Sequence, residues 1–265
     1  PVTVEPGLFR TEVSVKISSR EPWRLDVTPE GKNDPIFAFG KTPEQNEQIL
    51  NSLPGMYWHF PVTRVKPGAT VLDLGSGAGN DAFVARALVG ESGTVIGIDM
   101  TEPMLAKARK NAETLGFSNV EFRLGDIEDL PVEPGSIDVV ISNCVLNLVP
   151  DKDQAFREMF RVLKPGGHFA VSDIVLAREL PPGLLQAAEM YAGCVSGAIL
   201  KDDYLNRLTA TGFKNVTVRI EKPITLPREV LSQYLSDTEI ASFIAAGATI
   251  LSITVYGESP ISVSA

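Results

Sequence analysis

The sequence predicts a single α/β domain built on a seven-stranded, mostly parallel sheet, with helices on both faces and an N-terminal extension. Two observations lead to this prediction. Between residues 61 and 175, short apolar runs typical of strands alternate with amphipathic stretches typical of helices. Residues 176–265 then begin with helical patterns and end in two further strand-like runs. A chain of 265 residues, of which 44% are hydrophobic and 22% charged, is long enough to bury one such core.

The first segment, residues 1–60, is expected to form an extension or cap. Alternation of apolar and polar residues over 13–18 predicts a half-buried strand. The capping-box pattern at 42–45, with proline at the first helical position, predicts a helix that ends near Pro54. The aromatic residues within 56–60 either pack against the main domain or form a flap over the active site.

The second segment, residues 61–175, is the predicted core. Apolar runs predict strands at 70–74, 94–100, 120–124, 137–142 and 168–172. Apolar residues at helical spacing predict helices at 80–89, at 102–115 and around 156–163. The run from Lys164 to Gly167 is expected to end the last of these helices and to turn the chain.

The third segment, residues 176–265, is expected to complete the same domain. Helical patterns occur at 179–191, 202–211 and 230–246, and strand patterns at 216–220 and 250–256. We expect the two strands to pair antiparallel at the edge of the sheet.

The composition excludes several classes of function. A net charge of −9 without a Lys/Arg cluster argues against a nucleic-acid partner, because nucleic-acid binding needs a basic face. No apolar run is long enough to cross a bilayer, so no membrane partner is expected. Cys144 and Cys194 are the two cysteines, which argues against a disulfide framework and favours the reducing cytoplasm. A small-molecule substrate is therefore favoured.

The end of the first core strand has the features of a cofactor site. Ligands of doubly wound sheets bind at the carboxyl ends of the strands. There the chain reads Asp73-Leu74-Gly75-Ser76-Gly77-Ala78-Gly79, and its glycines permit a sharp turn and a close approach by a ligand. The spacing is G-x-G-x-G, whereas dinucleotide sites use G-x-G-x-x-G. Asp99 and Asp126 follow the second and third strands, where Asp99 is placed to accept hydrogen bonds from both ribose hydroxyls.

Together these residues resemble the class I S-adenosylmethionine methyltransferases over roughly residues 65–175. The resemblance implies a Rossmann-like fold, methyltransferase activity and S-adenosyl-L-methionine as the cofactor. It implies that Asp73 helps to hold the methionine part, that Asp99 binds the ribose and that Asp126 binds the adenine amine. Met100 and Ile127 would sandwich the adenine. The full set of implied cofactor-binding residues is Asp73, Gly75, Ser76, Gly77, Asp99, Met100, Asp126, Ile127 and Asn143.

Three stretches resemble the arsenite methyltransferases more narrowly. Residues 142–152 read Ser-Asn-Cys-Val-Leu-Asn-Leu-Val-Pro-Asp-Lys, at the loop that faces the transferable methyl group in this fold. Residues 193–198 read Gly-Cys-Val-Ser-Gly-Ala and resemble the second substrate motif, and residues 250–255 resemble the final strand. In that family both cysteines bind trivalent arsenic as thiolates. The resemblance thus implies that Cys144 and Cys194 are the catalytic, arsenic-binding residues of a cytoplasmic detoxification enzyme.

The implied chemistry agrees with general principles. Trivalent arsenic is soft, and thiolates are the soft ligands that proteins offer. Thiolate ligation leaves a lone pair on arsenic that can attack the sulfonium methyl group in line, so the protein contributes positioning rather than a strong base. One departure from the family is that residues 1–70 contain no cysteine, where many members have a third arsenic ligand. The third position would belong to hydroxide, chloride or an external thiol such as glutathione, and the choice between arsenite and methylarsenite stays open.

Two other functions stay open from the sequence. One is a methyltransferase that modifies carbon, oxygen or nitrogen of a small organic metabolite, in which both cysteines are small buried apolar residues. The other is a non-catalytic sensor of S-adenosylmethionine or of an arsenical.

Overall fold

The computed structural model describes residues 63–180, 184, 195, 197–224, 226, 228–247 and 249–261, together with the backbone of three short strands near the N-terminus. The chain divides into two compact units, residues 1–124 and residues 125–265. None of the helices within this described part of the chain is long and apolar enough to cross a membrane.

In its described residues, the first unit contains an antiparallel sheet and three parallel strands with two helices. The antiparallel sheet consists of β1 (Val13–Ile17), β2 (Arg24–Pro29) and β3 (Phe37–Ala38). The parallel strands are β4 (Thr70–Leu74), β5 (Thr94–Asp99) and β6 (Val120–Leu124), and the helices are α1 (Asn80–Val89) and α2 (Glu102–Leu115). The strand predicted at 13–18 and the five elements predicted between 70 and 124 are confirmed, with small differences at their ends.

Helix α2 illustrates why the sequence folds in this way. It begins after Thr101 with a proline in its first turn, and it ends at Gly116, which adopts the left-handed conformation with φ of 69°. Its buried residues recur at helical spacing, as the sequence predicted: Leu105, Ala108, Ala112 and Leu115.

The second unit contains the other strands and helices that the structure describes. In chain order they are β7 (Ile137–Asn143), α3 (Lys152–Val162), β8 (Leu163–Leu176), α4 (Lys201–Thr211), β9 (Lys214–Ile224), α5 (Arg228–Leu231), α6 (Asp237–Ala245) and β10 (Ile250–Glu258). Strands β7 and β8 are parallel, whereas β10 pairs antiparallel with both β8 and β9. The predicted antiparallel pair at the sheet edge is confirmed.

Seven strands form one sheet in the order β6-β5-β4-β7-β8-β10-β9. The predicted seven-stranded, mostly parallel, Rossmann-like sheet is thereby confirmed. The carboxyl ends of β4, β5 and β7 position the residues for which the sequence predicts cofactor and substrate roles.

The prediction for the run from Lys164 to Gly167 is wrong in its detail. Helix α3 ends at Val162, and Leu163 is already extended and belongs to β8. The run forms a bulge within that strand, where Gly166 has φ of 78°. Because Pro165 lacks an N–H group and disfavours helical geometry in the residue before it, the helix stops before it reaches the glycines.

The prediction of a single helix over 230–246 is also wrong. The chain forms the short helix α5, then a turn, and then α6. Ser236 caps α6: its hydroxyl accepts the N–H of Glu239, and the Glu239 carboxylate accepts the N–H of Ser236. This capping box begins a new helix in the middle of the apolar pattern.

Several predictions fall outside the described residues. They are the helix at 42–54, the aromatic cluster at 56–60, most of the helix at 179–191, and Cys194. The division into an extension (1–60), a core (61–175) and a final part (176–265) stays a prediction.

Candidate cofactor and substrate site

Three glycines shape the loop after β4. Gly75, Gly77 and Gly79 have φ of 70°, 53° and 94°, all in the left-handed region that other residues seldom adopt. The N–H groups of Gly75 and Ser76 both donate to the carbonyl oxygen of Ile98, at 2.8 and 2.9 Å. The loop is therefore fixed to the end of β5.

Asp99 joins this loop to the start of α2. Its Oδ2 accepts the N–H of Gly77 at 2.9 Å, and its Oδ1 accepts both the N–H of Thr101 at 2.9 Å and the Thr101 hydroxyl. Each carboxylate oxygen has two lone pairs, so Oδ2 retains capacity to accept a ribose hydroxyl. Met100 is 77% exposed, which leaves its apolar side chain available to a flat ligand.

Asp73 is buried in an unusual way for a carboxylate. It is 2% exposed, and its Oδ2 has no hydrogen-bond partner, as is also true of the Ser76 hydroxyl. Burial raises the pKa of Asp73 well above its ordinary value, and the negative charge of Asp81 raises it further. A hydrogen bond from the Ala82 N–H acts in the opposite direction and lowers this pKa. A buried carboxylate oxygen without a partner favours a cationic ligand, because a cation compensates the lost hydration.

Close packing holds this loop in place. A methyl group on Gly97 would lie 2.6 Å from the Phe122 ring and 2.8 Å from the side chain of Ser76. A methyl group on Gly79 would lie 2.7 Å from the same Phe122 ring. Sequence reasoning singled out neither Gly97 nor Phe122, although a glycine inside a strand commonly indicates such a close approach.

The first unit therefore brings together six predicted residues, namely Asp73, Gly75, Ser76, Gly77, Asp99 and Met100. The turn, the two accepting carboxylates and the exposed apolar side chain fit a nucleoside that carries an amino-acid group, such as S-adenosylmethionine. The role of each individual residue stays a prediction.

In the second unit, Asp126 and Ile127 follow β6. Asp126 is exposed, and its Oδ1 accepts the N–H of Glu128 at 2.9 Å, whereas Ile127 is buried. This local hydrogen bond holds the carboxylate of Asp126 in one orientation. Their predicted contacts with adenine stay predictions.

Cys144 follows β7 directly, next to Asn143. Its backbone has φ of 58°, an uncommon conformation for a residue with a Cβ, and its N–H donates to the carbonyl oxygen of Ser172 at 2.7 Å. Its partly buried side chain packs against an apolar cluster that includes Leu184 and Val195. A conformation of this kind costs about 1–3 kcal/mol and is concentrated at functional sites in proteins.

Of the three stretches with the arsenite-methyltransferase pattern, the two that contain a cysteine (142–152 and 193–198) are in contact. A methyl group on Gly197 would lie 1.7 Å from the carbonyl oxygen of Asn147, which is closer than any two such atoms can approach. Gly197 thus packs directly on the loop that contains Cys144. Cys194 lies outside the described residues, so its distance from Cys144 stays untested.

A buried polar cluster adjoins this loop. The Tyr204 hydroxyl donates to Asp173 Oδ2 at 2.7 Å, and both side chains are at most 1% exposed. The pKa of Tyr204 is raised, chiefly by burial. The charge of Asp173, its hydrogen bond with Tyr204 and the charge of Cys144 raise it further. Lys152 is also buried, and burial lowers its pKa, an effect that the charge of Asp173 opposes. Sequence reasoning assigned no role to these residues.

Comparison with known proteins agrees with this geometry. Residues 65–212, more than half of the chain, match the model of a methyltransferase-domain family. The chain is 44% identical over 180 residues to the arsenite methyltransferase of Halobacterium salinarum, covering 68% of this chain and 45% of that protein. It is 43% identical over 182 residues to that of Aquipseudomonas alcaligenes, covering 66% and 53%. The chain thus spans about half the length of the curated relatives it matches.

A solved structure gives the same result. The arsenic(III) S-adenosylmethionine methyltransferase from Chlamydomonas reinhardtii superposes with a TM-score of 0.63 at 32% identity, covering 80% of this chain and 72% of that one. The cofactor in that protein's name is the one that the sequence predicted. The predicted fold, the predicted methyltransferase family and the resemblance to arsenite methyltransferases are confirmed. The chain belongs to the methyltransferase-domain family, within which it is similar to arsenite methyltransferases.

Proposed function

We propose that this protein transfers a methyl group from S-adenosylmethionine to trivalent arsenic that is held by the thiolates of Cys144 and Cys194. The observation that carries the proposal is the packing of Gly197 on the carbonyl oxygen of Asn147. This packing brings the two cysteine-bearing stretches of the second unit against each other. It supports a site in which two sulfur atoms chelate one soft atom.

The first unit supplies the binding residues for the cofactor. When bound, S-adenosylmethionine supplies an electrophilic methyl group on a sulfonium sulfur. The Asp73 carboxylate, buried and with an oxygen that lacks a partner, would hold the cationic methionine end, and Asp99 would bind the ribose. Asp126 in the second unit would accept the adenine amine.

The second unit would position the substrate. Cys144 and Cys194 would lose their protons when arsenic binds, because only thiolates ligate well. The arsenic lone pair would then form the new bond to the methyl carbon while the carbon–sulfur bond breaks, and its electron pair would leave with S-adenosylhomocysteine. No proton is removed from arsenic, so the enzyme needs no general base. Alignment of reacting atoms by a rigid site can contribute about 7–11 kcal/mol to lowering a barrier.

Two further features follow from the same chemistry. The third arsenic position would go to hydroxide or to an external thiol such as glutathione. Because both cysteines must stay reduced, we propose that the reaction takes place in the cytoplasm.

The test is incubation with S-adenosylmethionine, excess thiol and either arsenite or methylarsenite, followed by speciation of the arsenic. We expect methylated arsenic from the native protein, and loss of product in Cys144→Ser and in Cys194→Ser with cofactor binding retained. Ser232→Ala, an exposed substitution in the same unit, is the control and should keep full activity. Tight arsenic binding without product would indicate a sensor, and neither binding nor product would indicate an organic methyl acceptor.

A further inference from the structure

We propose that Lys152 is a positioning residue that fixes the spacing between two segments, the Cys144 loop (residues 144–148) and the Gly197 segment (residues 197–200). The inference rests on the proposed function, because the spacing of these segments sets how far apart the two arsenic-binding sulfurs lie. Lys152 is not among the cofactor-binding or arsenic-binding residues predicted from the sequence.

Lys152 lies where both segments meet. Its side chain is buried, at 8% exposed, and its Nζ donates to the carbonyl oxygen of Asn147 at 3.2 Å. A methyl group on Gly197 would lie 3.2 Å from the same Nζ and 1.7 Å from the same oxygen. The ammonium group therefore contacts the Cys144 loop at the carbonyl oxygen of Asn147. Gly197 already packs against the same oxygen, so the Gly197 segment cannot come closer to the loop.

Both segments are also hydrogen-bonded to β8, so the strand holds each of them in place next to Lys152. The N–H of Cys144 donates to the carbonyl oxygen of Ser172 at 2.7 Å. At the far end of the strand, the N–H of Leu176 donates to the carbonyl oxygen of Ile199 at 2.9 Å. Each segment has its own attachment to the strand, and the Lys152 ammonium donates to the Cys144 loop at the carbonyl oxygen against which Gly197 packs.

Stability alone does not account for a lysine at this position. Lys152 is the first residue of α3, where the positive end of the helix dipole disfavours a cation. It is buried, which costs an ammonium group much of its hydration, and Arg207 adds a further positive charge. Asp173 offsets part of this cost. Because an apolar side chain of similar length would avoid the cost, the position points to a role in the site.

The test compares Lys152→Met with Lys164→Met, which removes a half-exposed ion pair with Asp138 in the same unit. The probe is arsenite without added thiol, and the readout is the number of cysteines that it masks from a thiol reagent. The native protein and Lys164→Met should have two thiols masked per arsenite. In Lys152→Met we expect arsenite to bind about 10- to 100-fold more weakly, the range for loss of one hydrogen bond from a charged donor. Both thiols should still react when arsenite is absent, and affinity for S-adenosylmethionine should be unchanged.

Gly197→Ala provides an independent variant, because its methyl group must push the two segments apart. Gly135→Ala is its control for alanine without steric overlap, since Gly135 has open space around it; its φ of 60° makes it the more strained site for the backbone. Thermal unfolding of each variant checks that it folds. If Lys152→Met and Gly197→Ala both bind arsenite as their controls do, the positioning role is wrong while the proposed function stands. If arsenite masks no thiol in the native protein, both proposals are wrong.

Discussion

Replacement of Asp73 by asparagine should stabilise the protein and weaken its cofactor binding. Asp73 is 2% exposed and has one carboxylate oxygen without a partner. Its folded-state pKa is raised, mainly by burial, so the folded protein holds a proton on this group more tightly than the unfolded chain does. Linkage then requires that the free energy of unfolding falls as pH rises from the unfolded pKa towards the folded one. At neutral pH the carboxylate therefore opposes folding.

The magnitude follows from the cost of a buried polar group without a partner, about 1–3 kcal/mol. Asparagine removes the buried charge and keeps an oxygen for the Ala82 N–H. We expect a gain of about 1–2 kcal/mol. For a chain of this size, each kcal/mol raises Tm by about 2–4 °C. If Asp73 binds the methionine ammonium as proposed, loss of that charge-assisted bond should weaken cofactor binding by about 10- to 100-fold.

Thermal unfolding at pH 7 and calorimetric titration with S-adenosylmethionine measure the two effects. Asp138→Asn is the matched control, because it removes a half-exposed carboxylate paired with Lys164 and should change stability by no more than about 1 kcal/mol. A lower Tm for Asp73→Asn together with unchanged affinity for the cofactor would refute the reasoning about this buried carboxylate.

Three further changes test the packing and electrostatics. Gly97→Ala should destabilise the protein by about 1–3 kcal/mol in denaturant unfolding, because its methyl group would lie 2.6 Å from the Phe122 ring. The Arg161 hydrogen bond lowers the pKa of Glu158, so stability from this pair is present above the unfolded pKa and is lost as pH falls through the folded one. Arg161→Met should therefore move the acid-unfolding midpoint to higher pH. Ser236→Ala should lower the free energy of unfolding by about 1 kcal/mol, because it removes the helix cap.

For each of these three changes, one experimental outcome would contradict the prediction. Unchanged stability in Gly97→Ala would mean that β5 and β6 are not packed as closely as described. An acid-unfolding midpoint no higher than that of Arg157→Met, which removes a more exposed arginine, would contradict the account of Glu158. A Ser236→Ala variant as stable as Ser232→Ala would show that the cap of α6 contributes nothing.

Much of the fold was predictable because its signals are local. Helix α2 has proline in its first turn and glycine at its end, with apolar residues at helical spacing between them. The boundary between α5 and α6 was also encoded locally, in the Ser236–Glu239 capping box, but a continuous apolar pattern concealed it. The bulge at Gly166 was not predictable, because only pairing with β7 reveals that the strand begins before the glycines.

The residues of the candidate site likewise fall into those that a local sequence signal marks and those that only the tertiary packing reveals. Asp73 and Asp99 were found because they stand next to a glycine-rich turn or at a strand end, which the sequence marks directly. Lys152, Asp173 and Tyr204 were missed, because their hydrogen bonds depend on how three separate elements pack. Tyr204 in particular looks like an ordinary core residue, and its contact with Asp173 joins residues 31 positions apart.

The central claim is that two protein sulfurs hold the arsenic. X-ray absorption at the arsenic edge, on protein loaded with one equivalent of arsenite and freed of external thiol, counts the sulfur ligands directly. We predict two sulfur ligands in the native protein and one in Cys144→Ser. Identical spectra from the two proteins, or a native spectrum with oxygen ligands alone, would contradict the account.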